Sequence, residues 1–136
     1  MSGEVFLDTN ILIYASLRDD PRAAIAAALL AAGGVISVQV LNEFASVAHR
    51  KLKRPWSEVT TALTAFRTLC PEVRALDLAT HEAALAIAQR DVLSLYDALI
   101  VASALEAGCV RLLTEDMQDG RIIARRLTIS NPFAAV

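Results

Sequence analysis

Short apolar runs alternate along the chain with longer segments in which apolar residues recur every three or four positions. The runs are typical of buried strands, and the longer segments are typical of amphipathic helices. The predicted strands are 5–7, 35–37, 73–76, 110–114 and, as a last edge strand, 127–130.

The predicted helices are bounded by recognisable start and stop signals. Pro21 begins an alanine-rich helix that Gly33 ends, Thr80 caps another helix, and Ser94 caps one that Gly108 closes. The predicted helices are 9–14, 21–32, 38–52, 55–69, 80–90 and 95–107, with a weak one over 121–126.

Strands that alternate with helices of this length form βαβ units, in which the crossovers are right-handed and the strands lie parallel. We therefore expect an α/β fold with three layers, α/β/α, around a mostly parallel sheet of four to five strands. Ligands of such sheets bind beyond the carboxyl ends of the strands, so functional residues are expected at that edge.

The composition agrees with one globular domain over residues 1–136. Hydrophobic residues make up 55% of the chain and charged residues 21%, which excludes a disordered protein. The uncharged stretch 23–42 is not a membrane span, because Gly33 and Gly34 divide it and Gln39 and Asn42 are polar. The first residues lack a secretory signal, so we expect a cytoplasmic protein without membrane contact.

Four acidic residues fall at the carboxyl edge of the predicted sheet. Asp8 follows the first strand and Asp116 follows the fourth. Asp97 lies in the first turn of an almost wholly apolar helix, and Glu43 borders the buried face of the helix after the second strand. Clustered carboxylates raise one another's pKa and call for a cation between them. Oxygen ligands without His or Cys favour Mg²⁺ or Mn²⁺, an ion that supports phosphodiester hydrolysis.

Each of these acids also has an ordinary structural interpretation. Asp8 can cap the helix that follows it, and Asp97 fits a capping box with Ser94. Glu43 can be a solvated residue at a helix edge, and Asp116 can belong to a polar turn. A functional site is favoured because all four acids fall at one edge.

Four segments of the sequence carry a resemblance to a known family. They are Val5-Phe6-Leu7-Asp8-Thr9-Asn10-Ile11-Leu12, residues 37–44 around Glu43, Tyr96-Asp97-Ala98-Leu99-Ile100-Val101-Ala102, and Leu112-Leu113-Thr114-Glu115-Asp116-Met117. Together they resemble the signature blocks of the PIN domain, in particular those of VapC-type toxins from bacterial toxin–antitoxin pairs. The resemblance extends from about Val5 to Phe133, and the fold of that family agrees with the predicted one.

The resemblance implies an endoribonuclease that depends on Mg²⁺ or Mn²⁺. Its catalytic acids would be Asp8, Glu43, Asp97 and Asp116, of which Asp8, Asp97 and Asp116 match metal-ligand positions. Supporting positions of the family are matched by Asn10, Thr114 and Asp119. The resemblance further implies an RNA substrate, a cognate antitoxin protein and a homodimer.

One short segment is strongly basic, although the formal net charge of the chain is −2. Arg50, Lys51, Lys53 and Arg54 supply four of the thirteen basic residues, and Trp56 follows them. Cations beside an aromatic ring can bind a phosphate backbone and stack a base, so the segment is a candidate RNA contact. Alternatively, the cations end a helix, where they interact with its dipole, and Trp56 packs on the next helix.

Two other functions remain open at this point. A phospho-receiver module also places acids at the carboxyl edge, but it normally needs a lysine after a late strand, and the only lysines are Lys51 and Lys53. A PIN-shaped binding module without catalytic activity is the other, and the complete set of four acids argues against it. Glycine-rich nucleotide-binding motifs and serine-hydrolase motifs are absent from the sequence.

Overall fold

A computed structural model describes residues 4–136. Residues 1–3 lie outside the described residues, and they are part of the N-terminal segment in which no secretory signal was expected. The elements are β1 (Val5–Leu7), α1 (Thr9–Ala15), α2 (Pro21–Ala32), β2 (Val35–Ser37), α3 (Val38–Arg50), α4 (Trp56–Leu69), β3 (Glu72–Arg74), α5 (Leu78–Asp91), α6 (Leu95–Glu106), β4 (Arg111–Leu113), β5 (Ile122–Ile123) and β6 (Leu127–Ser130).

The strands form one mostly parallel sheet in the order β3-β2-β1-β4-β6-β5, with helices on both sides. Only β5 runs antiparallel, against β6. The expected three-layer α/β/α fold is therefore confirmed, with six strands in the place of four or five. From β1 the chain adds β2 and β3 on one side and β4 on the other, so the strand order reverses between β1 and β4. Parallel sheets bind ligands beyond the carboxyl ends of the strands at such a reversal.

The prediction of a weak helix over 121–126 is wrong. This segment contains β5 and a tight turn in which Ala124 and Arg125 both have positive φ, 54° and 60°, and the Arg126 N–H donates to the Ile123 carbonyl at 3.2 Å. Hairpin turns of this kind usually carry Asn or Gly, so the sequence lacked their signature. As a consequence β6 is not an edge strand, because β5 covers its outer side.

The cap expected for α5 is also different. Asp77 is the N-cap, and its Oδ1 accepts a hydrogen bond from the Thr80 N–H at 2.9 Å. Thr80 lies in the first turn of the helix and is buried. The third strand correspondingly ends earlier than predicted, at Arg74. Both residues are good cap formers, and the sequence alone does not decide between them.

Helix α3 is anchored in the core through its apolar face. Val40, Phe44 and Ala48 are completely buried, and the Phe44 ring meets Phe66 of α4 edge to face, with ring centroids 4.8 Å apart. Aromatic pairs of this geometry contribute about 1 kcal/mol beyond the burial of their surface. Because the helix cannot rotate without breaking this packing, the direction of Glu43 on its neighbouring face is fixed.

No helix within residues 4–136 is both long enough and apolar enough to cross a membrane.

Candidate active site

Asp8 lies where β1 ends and α1 begins. Its Oδ1 accepts a hydrogen bond from the Thr9 N–H at 2.7 Å, so the side chain caps α1. The capping role that the sequence left open is therefore real. It also holds the carboxylate of Asp8, which is only 4% exposed, at the carboxyl edge of the sheet. Capping and participation in a site do not exclude each other here.

The Thr114 hydroxyl connects several parts of this edge. The register of β1 and β4 places the residues that follow the two strands, Asp8 and Thr114, side by side. Thr114 Oγ1 donates to Asp8 Oδ2 at 2.8 Å. The same oxygen accepts from Asn10 Nδ2 at 3.2 Å and from the Asp116 N–H at 3.1 Å. Because a hydroxyl has one proton and two lone pairs, all its hydrogen-bonding capacity is used.

Asn10 links Asp116 to the same network. Its Nδ2 also donates to Asp116 Oδ2 at 3.2 Å, which holds this exposed carboxylate near the buried Asp8. The Oδ1 of Asn10 is buried and has no hydrogen-bond partner among the described residues. A buried acceptor without a partner is costly, so this oxygen is suited to meet a ligand.

Glu43 is held by two hydrogen bonds from residues that the sequence analysis did not select. The Thr9 hydroxyl donates to Glu43 Oε2 at 2.7 Å, and Gln39 Nε2 donates to Glu43 Oε1 at 2.9 Å. Gln39 Nε2 also lies 3.1 Å from the carbonyl oxygen of Tyr96, at the start of α6. Gln39 is buried and precedes Glu43 by one helical turn, a spacing at which side chains meet. That spacing was the signal that could have identified it.

Asp97 lies in the first turn of α6, as predicted. Its N–H donates to Ser94 Oγ at 3.2 Å, so Ser94 is the cap of this helix. Partial burial raises the pKa of Asp97, a hydrogen bond with Ser94 lowers it, and the charges of Asp116 and Glu43 raise it further. The helix thus brings Asp97 within electrostatic reach of two of the other acids.

Asp8 is the most deeply buried of the four acids. Its burial raises its pKa from the ordinary 3.8 to about 6, against the lowering effect of its bonds with Thr9 and Thr114. The charges of Asp116 and Glu43 raise it as well, so these three carboxylates also act on one another. A cavity of about 280 Å³ opens beside these carboxylates; Glu43 and Asp116 line it, whereas Asp8 and Asp97 do not. It is lined by Thr9, Asn10, Ile13, Glu43, Ser46, Val47, Arg50 and Asp116.

A network behind the site orients the loop that carries Asp116. The Tyr14 hydroxyl donates to Glu115, and Arg22 Nη1 donates to the Tyr14 hydroxyl at 2.8 Å. The Arg22 guanidinium also lies 3.9 Å from the centre of the Tyr14 ring, a cation–π contact. Burial, then the bond to Glu115, raises the pKa of Tyr14 to about 12. Nothing in the spacing of these three residues indicated that they meet.

The remaining predicted residues lie at the margin of the site. Asp119 Oδ1 accepts a hydrogen bond from the Asn131 N–H at 2.8 Å, and no described contact joins it to the four acids. Of the basic segment, only Arg50 lines the acid cavity. Lys51 and Lys53 do not line it, so the described residues offer no lysine for a phospho-receiver site.

The four acids offer the type of ligand atom that a hard divalent cation prefers, but their side chains are not gathered closely enough to hold one. The acids offer oxygen ligands only, the burial of Asp8 and the neighbouring charges disfavour its ionised form, and Asn10 Oδ1 is free to bond. Within residues 4–136, however, no three His, Cys, Asp or Glu side chains are gathered closely enough to form a ready metal cluster. Their oxygens are engaged with hydroxyl and amide groups instead. A cation would therefore draw the carboxylates together by exchanging some of these bonds.

Comparison with protein families agrees with this arrangement. The model of the PIN domain matches residues 5–121, which is most of the chain. The chain belongs to the PIN domain family. The resemblance of the four sequence segments to this family is thereby confirmed. The acids of these segments are the ones described above at the carboxyl edge of the sheet.

Solved structures with the same fold include a toxin and a toxin–antitoxin complex. This PIN domain superposes on a toxin–antitoxin complex from Klebsiella pneumoniae with a TM-score of 0.71, at 23% identity, covering 95% of this chain and 98% of the other. It superposes on Mycobacterium tuberculosis VapC20, a sarcin-ricin loop cleaving toxin, with a TM-score of 0.66, at 22% identity, covering 79% and 86%. Rickettsia felis VapBC2, bound to a promoter DNA fragment, gives a TM-score of 0.66 at 20% identity, covering 93% and 97%. No curated protein sequence matches the chain significantly.

Proposed function

We propose that this PIN domain is a metal-dependent endoribonuclease and the toxin of a toxin–antitoxin pair of the VapC type. The observation that carries the proposal is the meeting of Asp8 and Asp116 around Thr114 and Asn10, with Glu43 lining the adjoining cavity and Asp97 in electrostatic reach. The similarity to solved toxins supports it.

In this proposal Asp8, Asp97 and Asp116 hold a Mg²⁺ or Mn²⁺ ion. When bound, the ion supplies positive charge to the phosphate and lowers the pKa of a water molecule. Asn10 and Thr114 keep the carboxylates of Asp8 and Asp116 in place. Neutralising their mutual repulsion also lowers the pKa of Asp8, so that its ionised form persists to lower pH.

Glu43 is the proposed general base. Thr9 and Gln39 hold its two oxygens, which fixes the direction of the carboxylate toward the cavity. It takes a proton from water while the water oxygen forms a bond to phosphorus, and the opposite phosphorus–oxygen ester bond breaks. The leaving ribose oxygen takes up a proton from solvent, to which Glu43 later returns the one it took. Arg50, which lines the same cavity, binds the non-bridging oxygens of the phosphate.

Cleavage of end-labelled single-stranded RNA tests this proposal. Wild-type protein should cleave in Mn²⁺ and stop in excess EDTA, while Asp97→Asn should lose at least about a hundredfold in rate. The matched control is Glu82→Gln, an exposed acid on α5, which should cleave like the wild type. Mn²⁺ should also raise the midpoint of thermal unfolding of the wild type, and less that of Asp97→Asn. Cleavage that persists in EDTA, or that survives Asp97→Asn, would contradict the proposed site.

We further propose a cognate antitoxin protein, a homodimer and a cytoplasmic location. The superposable structure from Klebsiella pneumoniae is described as a toxin–antitoxin complex, and the one from Rickettsia felis as VapBC2 bound to promoter DNA. Light scattering of the purified protein tests the dimer. Co-expression with the product of a small neighbouring gene, followed by loss of cleavage in the complex, tests the antitoxin.

A further inference from the structure

A second cavity lies at the corner where α3 ends and α4 begins. Its volume is about 510 Å³, within the range of small-ligand sites, and it is lined by His49, Arg50, Lys53, Arg54 and Pro55. Arg50 lines both this cavity and the acid cavity, so the two are neighbours that share one side chain. None of the residues that line it is acidic. The corner is therefore a basic surface that adjoins the acid cavity and is suited to bind an anion.

His49, one of the residues that line this cavity, stacks on Trp56, the residue after Pro55. The rings of His49 and Trp56 lie nearly parallel, with centroids 3.8 Å apart and an interplanar angle of 17°. His49 Nδ1 lies 3.0 Å from the carbonyl oxygen of Arg54, and because a carbonyl only accepts, Nδ1 carries the proton. This bond fixes the histidine ring. One face of Trp56 is thus covered, while the residue as a whole remains 57% exposed.

The basic residues of the corner are not equivalent. Arg54 Nη2 donates to the carbonyl oxygen of Ser16, so this side chain ties the corner to the end of α1. Lys53 is exposed and adopts a left-handed backbone with φ 59°, which turns the chain from α3 into α4. Lys51 does not line the cavity. Arg50 and Lys53 are the cations left to face a ligand.

We propose that this corner is a nucleotide subsite for the strand that flanks the cleaved phosphate. Arg50, between the two cavities, binds the cleaved phosphate, Lys53 binds the next phosphate along the strand, and the open face of Trp56 stacks on a base. This inference rests on the ribonuclease function proposed above and assigns separate roles within the basic segment. Stacking on an aromatic face tolerates any base, so the subsite contributes affinity and register more than sequence specificity.

Trp56 is the only tryptophan of the chain, so its fluorescence reports on the subsite directly. The probe is a single-stranded RNA of mixed sequence, about 12 nucleotides long, added in EDTA so that it is not cleaved. RNA should quench the fluorescence of Trp56. In fluorescence anisotropy with labelled RNA, Trp56→Ala should raise Kd about 5- to 100-fold, and Trp56→Phe should raise it less.

Two matched variants distinguish the contribution of base stacking from that of charge and from a general loss of structure. Leu69→Ala removes an exposed apolar side chain at the other end of α4, about 20 Å away, and should leave Kd unchanged. Lys53→Gly removes the cation while glycine accepts the positive φ, so the turn is kept. It should reduce the slope of log Kd against log salt concentration by about 0.7, the value for one phosphate contact on a single strand.

The outcomes distinguish this inference from the proposed function. Unquenched fluorescence and an unchanged Kd for Trp56→Ala would overturn the subsite, even if the wild type cleaves RNA in Mn²⁺. Quenching by a polyglutamate peptide but not by RNA would overturn it as well, in favour of an acidic protein partner. If RNA binds and quenches as expected but no cleavage occurs in Mn²⁺, the corner is a site that binds RNA without flanking a cleaved phosphate, and the ribonuclease proposal fails.

Discussion

The raised pKa of Asp8 makes the stability of the metal-free protein depend on pH in a defined direction. Burial of Asp8 and its acidic neighbours raise its pKa from 3.8 to about 6 in the folded chain. Between these values the unfolded chain has released the proton and the folded chain still binds it. The free energy of unfolding therefore falls as pH rises from about 4 to about 6, because folding then requires proton uptake.

The substitution Asp8→Asn removes this titration, and its effect can be worked out from the structure. One pH unit corresponds to roughly 1.4 kcal/mol, so about two units between the two pKa values amount to about 3 kcal/mol. Asparagine still caps Thr9, but its Nδ2 cannot accept from Thr114, whose lone pairs are already engaged. That lost hydrogen bond costs about 1 kcal/mol at every pH. The variant should be about 1 kcal/mol less stable than the wild type near pH 3 and about 2 kcal/mol more stable above pH 7.

Urea unfolding in EDTA, followed by circular dichroism at several pH values, measures this difference. Asp20→Asn is the control of opposite sign, since hydrogen bonds from Arg22 hold the pKa of Asp20 at about 2. Its folded-state pKa is lowered, so the stability it provides is present at neutral pH and lost only below about pH 4. A stability difference between the wild type and Asp8→Asn that does not change with pH would refute the argument.

Three further predictions concern stability and are all measured by chemical unfolding at neutral pH. Gly34→Ala should destabilise the fold by about 1–2 kcal/mol, because the new Cβ would lie 3.1 Å from the carbonyl oxygen of Val5; unchanged stability would mean that β1 yields easily. Val92→Gly should stabilise it by about 1 kcal/mol, since this exposed β-branched residue has φ 54°; a loss would contradict the assumed strain. Ser94→Ala should cost about 1 kcal/mol, because its Oγ accepts from the Asp97 N–H, and Ser94→Asp should restore most of it.

The positions of Asp8 and Thr114 at one edge could be predicted from the sequence. Both follow short apolar runs, and the alternation of such runs with helical segments already implies parallel strands whose carboxyl ends meet. The contacts of Asp119 could not be predicted this way. It lies three residues beyond Asp116, but its carboxylate bonds to the Asn131 backbone, a pairing set by the loop that leaves β6.

Local patterns by themselves determined the kind of fold, most element boundaries and the four candidate acids, because periodicity, caps and strand ends are short-range properties of the chain. Tertiary structure alone decided that the Thr9 hydroxyl binds Glu43 and that the Tyr14 hydroxyl binds Glu115, whereas the bond from Gln39 to Glu43 follows from helical spacing. It also decided that β5 and not β6 forms the edge of the sheet. These contacts join residues far apart in sequence, and they depend on the packing angles of helices and on strand order. No local pattern encodes either of those.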